Sequence, residues 1–84
     1  MVSVTRNTYC SWVKNALKAL GRGSPHEVYR WIKLHEGVPA AELVELTPRG
    51  ESRFEHRVRW ARFSLFKAGT VSNREGHGVW VLTP

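Results

Sequence analysis

Residues 52–69, SRFEHRVRWARFSLFKAG, restrict the fold of this chain more than any other stretch. Ser52 and Glu55 stand at the spacing of a capping box, in which the serine hydroxyl and the glutamate side chain each accept an otherwise unpartnered amide at a helix start. Gly69 supplies the stop, and Lys67 sits near the negative end of the helix dipole. At ~100° per residue, Phe54, Val58, Ala61, Leu65 and Ala68 fall within one narrow arc, which predicts that this arc faces a core. The opposite side holds His56, Arg59, Trp60, Phe63 and Lys67, with Phe66 flanking it and Arg53 and Arg57 projecting near the first turns. A helix that is apolar on one side and both aromatic and cationic on the other needs a second surface to press against.

Two occupants fit that second side. The aromatics could be core, with Trp60 and Phe66 packed under a following hairpin or against the first helix, and Phe63 evenly placed between core and surface. Alternatively, exposed aromatics beside arginines touch nucleic-acid bases. Arginine reads guanine O6 and N7 bidentately, apolar groups meet methyls on the major-groove floor, and arginines that miss bases still grip phosphates. The core reading is favoured for Trp60 and Phe66, and the base-contacting reading stays open for Trp60 and Phe63.

Charge favours a polyanionic partner. The net charge is +6 and the sequence pI about 10.3. Residues 52–84 carry the six bases Arg53, Arg57, Arg59, Arg62, Lys67 and Arg74 against the two acids Glu55 and Glu75. Residues 36–51 carry the four acids Glu36, Glu42, Glu45 and Glu51 against Arg49 alone, so one basic and one mildly acidic side are expected. The chain has 84 residues, enough for one domain that buries somewhat over ~60% of its unfolded surface. No run approaches the ~18 apolar residues of a membrane span, and the N-terminus has no signal-peptide core, which makes the cytoplasm the expected compartment. Cys10 is the single cysteine; it reads as a buried structural thiol, and an intramolecular disulfide is impossible.

The rest of the chain reads as helices and then a hairpin. Tyr9, Val13, Ala16, Leu17 and Leu20 share one helical face, with Asn7 or Thr8 as cap and Gly21 as stop. Ser24, Pro25 and Glu27 open a second helix by a capping box with proline at the first position. It runs to about Glu36, with Val28, Trp31, Ile32 and His35 on one side. PAAELVEL is a short amphipathic turn or two anchored by Leu43 and Leu46, and TPRGE breaks the chain again. After Gly69, alternating runs flank a polar loop from Asn73 to Gly78, which predicts a β-hairpin with Trp80 and Leu82 on one face. Three helices and a C-terminal hairpin describe an α+β, mostly α, winged helix-turn-helix, with residues 52–68 as recognition helix and 72–78 as the wing.

The stretch SRFEHRVRWARFSLFKAG, followed by GVWVLT, resembles the N-terminal domain of the Mrr family of modification-dependent restriction proteins. The family pattern is Thr/Ser-Arg-Phe-Glu-x-Arg-Val-x-Trp-Ala, then Leu-Lys-x-Ala-Gly, then Gly-Val-Tyr/Trp. Ser52, Arg53, Phe54, Glu55, Arg57, Val58, Trp60, Ala61, Leu65, Ala68, Gly69, Gly78, Val79 and Trp80 match it. Phe66 departs, standing where a lysine is usual. The likeness is specific over residues 46–82, and before that only the order of elements agrees. It implies a winged-helix DNA-binding module joined, in the same parent chain, to a nuclease that acts on methylated DNA. The chain is accordingly expected to be one domain excised from a longer protein.

The expected contacts are Ser52, Arg53, His56, Arg57, Arg59, Trp60 and Phe63 from the helix and Asn73, Arg74 and His77 from the wing, against double-stranded DNA carrying methyladenine or methylcytosine. Arg57 has a competing reading as a salt bridge within the fold. No metal or cofactor is expected: the four histidines lie far apart on different elements, and no acidic partner stands at ligand spacing. Ser24 and Ser52 are accounted for as caps, and GRGS follows a helix rather than a strand, so no nucleophile or phosphate loop is apparent and a non-catalytic domain is expected. The rival readings are a protein-interaction or dimerisation module and a generic winged-helix transcriptional regulator.

Overall fold

The computed structural model describes residues 4–74, 76 and 78–83. Its elements are α1 (Arg6–Leu20), β1 (Arg22–Gly23), α2 (Pro25–His35), α3 (Ala40–Val44), α4 (Arg53–Lys67), β2 (Val71–Ser72) and β3 (Trp80–Leu82). The chain is α+β and mostly helical. Its three strands form an antiparallel sheet in the order β1-β3-β2, with Gly23 opposite Trp80 and Ser72 opposite Val81. A strand between the first two helices that receives the returning hairpin is the arrangement of a winged helix.

Local chemistry explains most boundaries. The Ser24–Glu27 box closes in both directions, with the Glu27 amide donating to Ser24 Oγ at 3.3 Å and the Ser24 amide to Glu27 Oε1 at 3.1 Å. At the second box only one half forms among the described residues: the Glu55 amide donates to Ser52 Oγ at 3.2 Å. Helix α1 starts earlier than expected. Thr5, not Asn7 or Thr8, is its N-cap, accepting the Thr8 amide at 3.2 Å. The apolar stripe begins only at Tyr9, so periodicity could not reveal the polar first turn. Gly21, at φ 80, ends α1 in a conformation that side chains rarely adopt.

Helices α1, α2 and α4 meet around Phe54, which is fully buried. Its ring lies 6.0 Å from Tyr9 and 6.4 Å from Tyr29, and the Lys33 ammonium stands 5.5 Å from its centroid. Truncating such a residue to alanine costs about 3–5 kcal/mol. The predicted arc of α4 is buried at Phe54, Val58, Ala61 and Leu65, while Ala68 lies past the end of the core. On α1, Trp12 joins the expected stripe, and Leu20 drops out of it as an exposed residue. Cys10 is half-buried. In the wing, Val71 and Trp80 are buried, and Leu82 packs partly against them.

The structure corrects three further expectations. A strand β1 is added to the helices and hairpin, while the expected short turn of PAAELVEL forms as α3; two residues between a stop glycine and a helix cap are too few to show alternation. Gly23 suits that strand, because a Cβ there would stand 3.3 Å from Leu20 Cδ1. On α2 the buried side is Val28, Tyr29 and Ile32. Trp31 and His35 instead stack on one another at 4.5 Å, half-buried and exposed respectively. Leu43 and Leu46 do not anchor α3, being 39% and 62% exposed; that helix is tied down by Glu42, as described below.

Candidate nucleic-acid interface

The outward side of α4 is open. Trp60 is 53% exposed, Phe63 42% and Phe66 41%, so the expectation that Trp60 and Phe66 are core is overturned. The reason lies in the sheet: β3 turns its buried Trp80 inward and lies against α1, leaving the outward side of α4 uncovered.

These aromatics are fixed although exposed. The Trp60 indole N–H donates to His56 Nε2 at 2.7 Å. That bond needs a lone pair on Nε2, so the neutral imidazole carries its proton on Nδ1, 3.9 Å from Glu51 Oε2. Phe63 meets Trp60 edge to face at 5.7 Å and 86°, and Lys67 Nζ stands 5.4 Å from the Phe63 centroid. His56, Arg59, Trp60 and Phe63 line a shallow hollow of about 270 Å³. One turn of helix therefore presents two orthogonal rings, with Lys67 over one of them and Arg59 lining the hollow beside them.

The arginines are less free than their spacing suggests. Arg53 Nη1 is 3.1 Å from Glu45, Arg57 Nη1 is 2.6 Å from Glu42, and Arg59 Nη2 is 3.0 Å from Glu51. The acidic segment thus folds directly onto the basic helix and does not form a separate side of the molecule. The fourth acid, Glu36, accepts from Asn15 Nδ2 at 2.8 Å. Glu42 also accepts from the Tyr9 hydroxyl at 2.6 Å, so one carboxylate joins α1, α3 and α4. Burial first, and then the bond and charge of Glu42, push the Tyr9 phenol far above its ordinary range. Burial, the largest single cause, pulls Arg57 down, but the bonds and charges of Glu42 and Tyr9 together outweigh it and the net shift is upward. Arg59 is raised chiefly by its bond to the Tyr29 hydroxyl at 3.3 Å.

In the wing, Asn73 and Arg74 are exposed. The Gly76 amide donates to the Asn73 carbonyl at 2.9 Å, and the Arg74 amide to Ser72 Oγ at 3.1 Å. His77 lies outside the described residues. Ser52 is half-buried, with its hydroxyl engaged as the α4 cap. Sequence reasoning missed the acids Glu42, Glu45 and Glu51 as orienting partners. Their separations from the arginines, 15, 8 and 8 residues, match no helical spacing, so only the tertiary fold reveals them.

A C-terminal hairpin that completes a three-stranded sheet with β1, beside a helix whose outer side is aromatic and cationic, defines a winged-helix domain. Within that class the family can be stated: the Mrr N-terminal domain family matches residues 9–84, and the chain belongs to it, as a restriction-system domain. A search of curated proteins and a search of solved structures each return no significant match. Among the described residues, no helix is long and apolar enough to cross a membrane.

Proposed function

We propose that this domain binds double-stranded DNA, with α4 in the major groove and the wing at Asn73 and Arg74 on the backbone, and that it supplies recognition while a nuclease elsewhere in the parent chain cuts. The observation that carries this reading is the Trp60–Phe63 pair. It is exposed, with the Trp60 indole bonded to His56 and Phe63 edge to face against Trp60, on the side of the helix that also presents Arg59 and Lys67. An apolar surface fixed at that depth suits the methyl of N6-methyladenine or C5-methylcytosine, both of which lie in the major groove. One methyl removed from water contributes about 0.8 kcal/mol, so two symmetric methyls reach about tenfold in affinity.

The test is a duplex series of one sequence carrying no modification, methyladenine or methylcytosine. We expect the methylated duplexes to bind more tightly, methyladenine somewhat the more so by the family likeness. Equal affinity for every duplex would leave plain DNA binding and place modification sensing elsewhere in the parent protein. The pairing of Arg53, Arg57 and Arg59 with carboxylates is the one observation that favours the rival reading, a protein-interaction surface centred on the same aromatics. Self-association on sedimentation without duplex binding would establish that rival.

A further inference from the structure

Between Leu46 and Ser52, which pair across an antiparallel bridge, the chain makes a tight hairpin. The Thr47 amide donates to the Glu51 carbonyl at 2.8 Å, the Gly50 amide to the Thr47 carbonyl at 2.8 Å, and the Glu51 amide to Thr47 Oγ1 at 3.2 Å. Pro48 pre-sets the turn, and Gly50 takes φ 83, a backbone state that a side chain would strain. The loop is therefore stiff, and it carries Arg49 at its tip.

Arg49 differs from its neighbours. Arg53, Arg57 and Arg59 each hold a carboxylate, whereas the Arg49 guanidinium has no ion pair, hydrogen bond or ring contact among the described residues. A groove of about 460 Å³ separates this turn from the first turns of α4, and Arg49, Arg53, His56 and Arg57 line it together with Glu51. The Glu51 carboxylate is held by Arg59 at 3.0 Å, and Arg53 spends one of its guanidinium donors on Glu45. The groove thus keeps unspent donors and an unpaired cation, and it shares His56 with the aromatic hollow.

We propose that the Thr47–Glu51 turn is a second backbone-gripping arm, in which Arg49 binds a DNA phosphodiester seated in this groove. The assignment rests on the DNA-binding reading and deepens it. A helix lying in the major groove has a phosphate strand along each flank, and phosphate contacts are what fix its register. The wing would hold one flank of α4 and this turn the other.

The test is a titration of fluorescent duplex with the 84-residue chain over a series of salt concentrations, for wild type, Arg49→Ala and Arg49→Lys. Losing one phosphate contact makes the log-log salt slope shallower by about 0.9 and lowers affinity about eightfold at 0.1 M salt, on every sequence alike. Arg49→Lys should restore the slope, and since the Arg49 guanidinium has no partner among the described residues, Arg49→Ala should melt with the wild type. Replacing phosphates one at a time by neutral methylphosphonate should reveal one position at which wild type loses affinity and Arg49→Ala does not. If wild type binds with a steep slope and Arg49→Ala keeps the same slope and affinity, the arm is overturned while the DNA-binding reading stands. A loss confined to one base sequence would make Arg49 a base contact and overturn the phosphate assignment. Absence of any wild-type binding sinks both.

Discussion

Replacing Glu42 with alanine tests whether the surroundings of α4 are held by charge and not by apolar packing. The side chain of Glu42 is 13% exposed and accepts from two donors, the Tyr9 hydroxyl and Arg57 Nη1, each at 2.6 Å. Tyr9 is 2% exposed, and a buried hydroxyl left without an acceptor costs about 1–3 kcal/mol. The side chain of Arg57 is 36% exposed, so solvent screens its half of the pair and its loss adds only about 1 kcal/mol. Glu42→Ala should therefore destabilise the fold by about 2–4 kcal/mol, which for a domain of this size lowers Tm by on the order of 10–25 °C. Tyr9→Phe alone removes a donor and should cost about 1 kcal/mol. In the Tyr9→Phe background, Glu42→Ala should cost less than in wild type, because no hydroxyl is left stranded, giving a coupling of at least about 0.5 kcal/mol. Thermal and urea unfolding followed by circular dichroism measure all four corners. If Glu42→Ala melts within a few degrees of wild type, or the two effects simply add, the three-helix junction is not held by this carboxylate.

Other expectations follow from the same geometry. Trp60→Ala should change stability by less than about 0.5 kcal/mol, as exposed positions do, while abolishing any preference for methylated duplex; a large fall in Tm would make Trp60 structural. Arg74→Ala should weaken binding about equally on all sequences, whereas Arg59→Ala should relax base preference; anisotropy titrations on a panel of duplexes separate the two, and unchanged affinity of Arg74→Ala at moderate salt would remove the wing from the interface. Ser24→Ala should cost about 1 kcal/mol at neutral pH through loss of the α2 cap. The Ser24 amide and hydroxyl hold Glu27 below the ordinary glutamate range, so its contribution is present above the unfolded pKa of about 4.3 and fades as pH falls through the folded one. The stability gap between wild type and Ser24→Ala should accordingly narrow in acid, and a gap constant from neutral pH into strong acid would refute the charged box.

The parts of the fold legible in the sequence are those set by local chemistry. The box at Ser24 and Glu27, the stop at Gly21 and the buried arc from Phe54 to Leu65 each depend on residues within a few positions of one another. What was not legible depends on distant partners. Strand β1 exists because Arg22 and Gly23 meet Val81 and Trp80, nearly sixty residues on. Tyr29 is buried with its hydroxyl on Arg59, while Trp31, the larger ring on the same helix, stays half outside. The charge pattern misled most. Counted along the chain, residues 36–51 and 52–84 looked like opposite sides of the molecule, but Glu42, Glu45 and Glu51 fold onto Arg57, Arg53 and Arg59. The candidate site was legible only as a set of residue types, aromatic and cationic, on the outward side of one helix. Which aromatics were exposed, and which of the arginines beside α4 were paired among the described residues, could be read only once the acids were in place.

Binding of duplex DNA by α4 and the wing is tested most directly by titrating one unmodified duplex at a series of salt concentrations. With three or more phosphates gripped, the log-log slope of affinity against salt should be about −3 or steeper, at roughly −0.9 per contact. Binding that is readily measured at low salt and falls away along that slope is the predicted result. No detectable duplex binding at low salt, from a chain shown to be folded, would contradict it.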